Sequence, residues 1–418
     1  MAQGVKKGSI YSLIGQGGAA FFVFLFQAIA ARMLGTARFG SLSLFYSLVL
    51  MFAAVLSSGI NDTIVKNISF YEAARKDKEI RFVYRRSIFL FVIFSAILTV
   101  LVVIFLRYIS LRFFDGKVII AFEFLIGVLL FSIYRIFFSV IIGKREFHFV
   151  SLFLILQSMF LLIGVLVGLL FRKDVVTANM GIALSPIIPL ILVVTLISRN
   201  GWVSFRGETS FIKGVNIFII GMSILSFLDI FLLRLGPVLI KLLGGVNANF
   251  YNGLYSAIFM PLSFTRTITI ALFTSLFPNI SRAFGENNME QVRRYVLKST
   301  GLVLGIVTAV SIIFYFWGPI IVRIIYGSNY VVNRIDCVLI SLVLGFYLLG
   351  RLNNRILIAG GFYRVSLFSI IASLSIAIIV SLLLKIAVMP RVEVALLAGT
   401  FTYAITQVYF IIFKSKFI

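Results

Sequence analysis

The chain has 418 residues, of which 61% are hydrophobic and 12% charged, with a mean hydropathy of +1.12. No single soluble core absorbs so much apolar surface, and apolar runs long enough to cross a bilayer recur throughout, so the fold class expected is an all-α polytopic membrane protein. The formal charge of +24, from 38 Lys and Arg against 14 Asp and Glu, points here to topology and anionic headgroups; no nucleic-acid module is visible.

In chain order, hydropathy predicts twelve transmembrane helices, at 10–31, 40–63, 87–106, 118–142, 149–171, 180–198, 214–240, 250–278, 299–322, 338–359, 365–385 and 394–413. The first run has no small-residue cleavage site after it and is too long for a signal segment, so it is read as a retained span. An even number of spans puts both termini on one side. Of the basic residues, 21 fall in terminus-side connections, twelve in the opposite ones and five inside spans, which by the positive-inside rule makes both termini cytoplasmic. The longest cytoplasmic connection, Lys66 to Arg86, mixes Phe70, Tyr71, Ile80, Phe82 and Val83 with seven bases. Two readings stand, an amphipathic helix on anionic headgroups and a solvated basic loop.

The sequence repeats itself. Lys7-Gly8 opens the first span, Arg32-Met33-Leu34-Gly35 closes it and Phe39-Gly40 starts the second; Lys213-Gly214, Lys241-Leu242-Leu243-Gly244 and Phe250-Tyr251 do the same for spans seven and eight. The expected organisation is an N-terminal six-helix lobe at 1–198, a cytoplasmic linker at 199–213 and a C-terminal six-helix lobe at 214–418. Six spans per repeat preserve orientation, so the lobes are expected to be related by a pseudo-twofold axis along the membrane normal, around a central cavity. Pro186, Pro189, Pro237, Pro261 and Pro319 mark expected kinks.

Five arginines fall inside spans: Arg135, Arg234, Arg266, Arg351 and Arg355. A guanidinium at the bilayer centre costs about 2.5–3.5 kcal/mol even on the insertion scale, so such residues face a wet cavity, a partner or an anion. Arg351 and Arg355 are one turn apart on one helical face, which Asn354 joins at i+3, and together the six define a candidate anion-binding lumen. In the competing reading Arg355 snorkels to the interface and Arg351 satisfies neighbouring carbonyls. Asp229 is a candidate counter-ion or a proton or sodium coupling site, and its five-residue offset from Arg234 keeps the two off one face. Glu123 and Asp62 lie near span ends, where solvation accounts for them. Gln27, Gln157 and Asn61 are read as lumen-lining or interhelical hydrogen-bonding groups, and Gly164-x-x-x-Gly168 and Gly301-x-x-x-Gly305 as close helix contacts.

Enzyme signatures are absent. There is no phosphate loop, nucleophile elbow or H-E-x-x-H, and one cysteine, Cys337, with one histidine, His148, gives neither an intrachain disulfide nor a His-based metal cluster; no catalytic residue, cofactor or metal is expected. The rival class, a membrane-embedded enzyme of glycan assembly, usually carries a large polar external loop, and here the longest runs only from about Arg107 to Lys117.

Arg32-Met33-Leu34-Gly35-Thr36-Ala37-Arg38-Phe39-Gly40, Leu276-Phe277-Pro278-Asn279-Ile280-Ser281-Arg282, Ile324-Ile325-Tyr326-Gly327-Ser328-Asn329-Tyr330, and Asn354-Arg355 followed by Ala359-Gly360-Gly361 resemble the polysaccharide flippases. These are the O-antigen (Wzx-type) branch of the superfamily that also holds the multidrug and toxin extruders and the lipid II flippases. The resemblance covers essentially the whole chain. It implies a bacterial inner-membrane carrier that moves an undecaprenyl-pyrophosphate-linked oligosaccharide from the cytoplasmic to the outer leaflet by alternating access. Implied partners are that glycan lipid, membrane lipids, H+ or Na+ as a coupling ion, and polysaccharide polymerase machinery. A multidrug or ion antiporter of the same superfamily is the alternative, against which the excess of arginine over carboxylate in the spans speaks.

Overall fold

The computed structural model describes residues 2–73, 76–202, 215–285, 289–359 and 362–411. Among them are fourteen α-helices and no strand: α1 Ala2–Leu34, α2 Thr36–Ala73, α3 Asp77–Ile104, α4 Leu106–Phe113, α5 Val118–Gly143, α6 Phe147–Phe171, α7 Val175–Leu184, α8 Ile187–Arg199, α9 Val215–Leu243, α10 Ala248–Gly285, α11 Met289–Tyr326, α12 Arg334–Ala359, α13 Tyr363–Leu383 and α14 Val388–Tyr409. An all-helical answer is what hydrocarbon demands, because a helix satisfies its backbone within itself.

Eleven segments are long and apolar enough to cross a membrane, counting α7 and α8 as one, and the protein is a multi-pass membrane protein. The expected eighth span, 250–278, lies on α10, a 38-residue helix outside those eleven; its side chains from 270 to 285 lie outside the described residues. The Lys66–Arg86 connection is neither a separate surface helix nor a long loop. The flanking helices simply run on, α2 to Ala73 and α3 from Asp77, with Asp77 and Glu79 in the first turn of α3, where acids suit the positive helix end.

The chain divides into two compact units, Met1–Met33 with Leu44–Ile230, and Leu34–Ser43 with Phe231–Ile418. The unit limits fall at the last residue of α1 and within α2 and α9. The expected linker at 199–213 lies, from 203 on, outside the described residues.

In unit 1, close helix contact comes from small residues. A Cβ on Gly164 of α6 would stand 2.6 Å from the Gly181 carbonyl oxygen of α7, and one on Gly168 would stand 2.3 Å from that of Thr177, so the first expected glycine pair forms a backbone-to-backbone seam. Gly301 and Gly305 correct the second expectation: among the described residues nothing lies within 4 Å of their Cβ positions, so they make no close contact there. Pro186 ends α7, as anticipated. It has no N–H for the Ile182 carbonyl, and Ser185 supplies the replacement through its backbone N–H at 3.3 Å and its hydroxyl at 2.8 Å. Asp174 caps the same helix, accepting the Thr177 N–H at 2.9 Å.

In unit 2 the start of α2 meets the start of α10. A Cβ on Gly40 would stand 1.8 Å from the Asn249 carbonyl oxygen, and one on Gly253 would stand 2.1 Å from that of Thr36, so only glycine fits either position. The Ser43 and Ser256 hydroxyls share a hydrogen bond at 2.6 Å along this seam. Further on, α12, α13 and α14 pack together. The rings of Phe346 and Phe401 meet edge to face at 5.1 Å, a Cβ on Gly350 would lie 2.1 Å from the Tyr403 ring, and Ser373 of α13 donates to the Gly399 carbonyl at 2.7 Å.

Candidate functional site

The expected cationic residues divide between the units. Arg135 lies in unit 1, half-buried on α5, one residue after Tyr134, whose hydroxyl donates to the Phe153 carbonyl of α6 at 2.9 Å. Asp229 also lies in unit 1, buried on α9. Arg234, Arg266, Arg351, Asn354 and Arg355 belong to unit 2.

Within unit 2, α9 presents Arg234 half-buried, its guanidinium 5.9 Å from the centre of the Phe259 ring on α10. Pro237 follows within α9, and Asn252 of α10 donates its side-chain amide to the Pro237 carbonyl at 3.1 Å. Gly236 between them leaves room for Tyr255: a Cβ there would stand 2.5 Å from Cζ of the phenol. Arg266, on the same helix as Phe259, is half-buried.

On α12 the arginine pair is not uniform. Arg351 is half-buried and donates from Nη1 to the Tyr347 hydroxyl at 2.9 Å, with its guanidinium 6.0 Å from the centre of that ring. Tyr347 is 1% exposed and packs against Tyr403 of α14 at 6.4 Å, so the arginine is held by a phenol that is itself locked in place. Arg355, one turn on, is exposed. Asn354 is buried and accepts a hydrogen bond from the Ser366 hydroxyl of α13, which commits its amide oxygen to a helix contact.

Among the other polar groups, Glu123 was placed wrongly by sequence. Glu123 is not solvated: it is 4% exposed on α5, with Oε2 meeting no hydrogen-bond donor among the described residues. The amide of Gln27 makes no hydrogen bond among them, nor do Nε2 of Gln157 and Oδ1 of Asn61. Asp336 and Glu393 were not anticipated, and both are buried in unit 2, on α12 and α14. Predicted spans that began at 338 and 394 left both just outside, so an error of one or two residues in a boundary hid two intramembrane carboxyls. The signal is Val392-Glu393-Val394, an acid embedded in an apolar run. Among the described residues no group of three or more His, Cys, Asp or Glu is placed to hold a metal ion.

Membrane-crossing helices in both units thus carry half-buried arginines and buried carboxyls, and the fold they form has counterparts among solved structures. An inward-facing multidrug resistance transporter of the MATE family, in the MOP superfamily, matches 95% of this chain and 94% of its own at 17% identity, with TM-score 0.75. A MOP-superfamily transporter from Pyrococcus furiosus, described as having a binding pocket of reverse polarity, matches 99% and 95% at 18% identity, TM-score 0.71. A MATE protein in complex with MaL6 matches 99% and 96% at 16% identity, TM-score 0.71. At these identities the likeness establishes the fold, a two-lobed MATE-like transporter fold. No curated protein sequence matches the chain. Residues 5–284, more than half of the chain, match the family described as "Polysaccharide biosynthesis protein", and the chain belongs to that family.

Proposed function

We propose that this protein is a flippase that carries an undecaprenyl-pyrophosphate-linked oligosaccharide, the repeat unit of an O-antigen or related surface polysaccharide, from the cytoplasmic to the outer leaflet of a bacterial inner membrane. The observation that carries the reading is Arg351, a permanently charged group inside the span Arg334–Ile358, held on the Tyr347 hydroxyl with Arg355 one turn away. Guanidiniums offer two-pronged, permanently charged contacts to a diphosphate and so offset the loss of its hydration without risk of deprotonation. Arg135, Arg234 and Arg266 extend the cationic lining, with Asn354 beside the pair. Membership of the polysaccharide biosynthesis family supports a glycan cargo, and the transporter fold supports alternating access in place of catalysis.

In this reading the lobes at 1–198 and 214–418, joined by a cytoplasmic linker at 199–213, move against each other about a central pathway. The polyprenyl tail stays in lipid while the head group crosses, and release outside requires weaker binding in the outward state. Asp229 serves as counter-ion or coupling site for H+ or Na+, and polysaccharide polymerase machinery receives the product. The multidrug or ion-antiport alternative requires a lumen for cations, which five intramembrane arginines oppose.

The test is complementation of a flippase-null strain, scored by surface polysaccharide with membrane protein quantified in parallel. Replacing Arg351 and Arg355 with Ala leaves the protein inserted and abolishes surface glycan, and Lys at both positions restores part of it. Full surface glycan from the double Ala variant at normal protein level overturns the proposal.

A further inference from the structure

A groove of about 500 Å³ runs along unit 1 between α6 and α7, apart from every cationic residue of the proposed lumen. One wall is a single row of α6, Phe160, Ile163, Val167 and Phe171, spaced three or four residues apart and so aligned on one helix face. The other wall is Met180 and Leu184 of α7, continued past the Pro186 break by Ile188 of α8. All of these but Phe160 are exposed. Between the rows stand Gly164, Gly168 and Gly181, where the two helices touch backbone to backbone, so the floor is bare main chain. A cleft between two exposed apolar rows is therefore left open.

The groove is one leaflet long. The row from Phe160 to Phe171 measures about 16 Å at 1.5 Å per residue, and Phe171 ends its span, so the groove reaches from the span end to near the middle of a hydrocarbon core of roughly 30 Å. It is also apolar throughout. Its two hydroxyls, Thr177 and Ser185, donate to the carbonyls of Arg172 at 2.7 Å and Ile182 at 2.8 Å. At the span end it meets positive charge. Arg172 and Lys173 follow Phe171 directly and both are exposed; Arg172 meets Asp174 through Nε at 3.1 Å while its side chain stays 78% exposed. Lys117, exposed just before α5, adds its charge beside the same Asp174. Asp174 and, in the connection with Lys117, Asp115 offset part of this charge, and a net positive charge remains.

We propose that this groove binds an anionic membrane phospholipid, with one acyl chain lying along the glycine floor and the phosphate seated on Arg172 and Lys173. The headgroup gains charge-assisted contacts at the membrane surface. The chain gains walls on two sides, and the bare backbone gains the dispersion contacts that a missing side chain forfeits. An undecaprenyl tail suits the groove less well, because it is far longer than one leaflet and most of it would lie outside. The inference stands apart from the proposed cargo: the site uses none of the lumen arginines and holds whatever the protein carries.

The experiment uses the purified full chain in phosphatidylcholine nanodiscs containing a trace of phosphatidylglycerol that carries a photoreactive diazirine near the end of one acyl chain. Mass spectrometry maps the adducts. They are expected on the groove walls, at Ile163 and Val167 and at Leu184 and Ile188. Replacing part of the phosphatidylcholine with unlabelled phosphatidylglycerol is expected to lower them several-fold, and replacing it with phosphatidylethanolamine to leave them unchanged. Labelling spread evenly over the exposed rows of α3 and α11 overturns the site, and so does equal competition by phosphatidylethanolamine. Stronger competition by undecaprenyl phosphate than by phosphatidylglycerol gives the groove to a polyprenyl lipid and overturns the occupant proposed. Val167→Trp fills the groove from an exposed wall without touching the glycine seam, and Arg172→Gln with Lys173→Gln removes the charges; each is expected to lower the adducts several-fold. Labelling unchanged in both overturns the proposal. Should the charge variant fail to accumulate, competition on the parent chain decides alone.

Discussion

The ring of Phe39 lies 6.0 Å from that of Tyr326, and both side chains are 1% exposed. Tyr330 completes the cluster at 6.2 Å from Phe39 and 5.6 Å from Tyr326, while the Thr36 hydroxyl donates to the Asn329 carbonyl at 3.3 Å. Two short motifs nearly 300 residues apart in sequence, around 32–40 and 324–330, are thus two halves of one aromatic contact in unit 2. Phe39→Ala should remove roughly 3–5 kcal/mol, as truncation of a buried aromatic does, and appear as loss of folded protein in the membrane. Thermal unfolding in detergent checks it, and a variant with unchanged melting would show that the cluster contributes little.

Tyr347 holds Arg351 through a single hydroxyl. Tyr347→Phe keeps the ring and its packing on Tyr403 but loses a hydrogen bond to a charged group, a loss of about 1.5–3 kcal/mol in comparable cases. Surface glycan delivery should fall roughly tenfold or more with protein level unchanged. Equal falls in protein and transport would instead mark Tyr347 as purely structural.

Asp174 lies between α6 and α7, outside the spans. Partial burial works to raise its pKa, but the Thr177 N–H and hydroxyl with the Arg172 and Lys117 charges outweigh it and hold the carboxyl below its usual range. A group depressed in the folded state stabilises above its unfolded pKa and loses that contribution as pH falls through the folded value. Asp174→Ala should therefore cost about 0.5–2 kcal/mol at pH 7 and almost nothing well below the ordinary carboxylate range. Melting temperatures of parent and variant that converge on acidification are the expected result; a gap independent of pH would mean the cap is not acting through its charge.

The two small-xxx-small pairs make opposite forecasts. Gly164→Leu places a side chain into the Gly181 carbonyl and should abolish accumulation, whereas Gly301→Leu starts from a position with nothing within 4 Å among the described residues and should be tolerated. Immunoblots of membrane fractions distinguish them.

The charge asymmetry of the connections predicts a cytoplasmic C-terminus. A cysteine introduced at Ser415 in a Cys337→Ser chain should react with a membrane-impermeant maleimide only after permeabilisation. Labelling in intact cells would reverse the orientation.

Much of the architecture was legible because a bilayer leaves few choices: long apolar runs became helices, Pro186 broke one of them, and Gly164 and Gly168 packed as their spacing suggested. The site was less legible. Helical phase puts Arg351, Asn354 and Arg355 on one face, but phase alone does not tell that Asn354 hydrogen-bonds Ser366 while Arg355 stays exposed, since which neighbour covers each part of that face is a tertiary fact. Asp336 and Glu393 escaped for a different reason. Hydropathy places span ends to within a few residues, and a carboxyl at a helix start reads as solvated until another helix is found lying over it.

Residues 34–43 lead unit 2 although they follow the first helix of the chain, and their partners on α10 begin at Asn249. At the usual elongation rate of about 5–20 residues per second, roughly 10–40 seconds separate synthesis of Gly40 from that of the helix that fits against it. During that interval Phe39 has neither Tyr326 nor Tyr330 to cover it. Folding therefore cannot finish in the order of translation: the early segment is a waiting latch, shut only by the late half. A chain stopped before α10 keeps the latch open, an exposed apolar mark that separates unfinished molecules from complete ones.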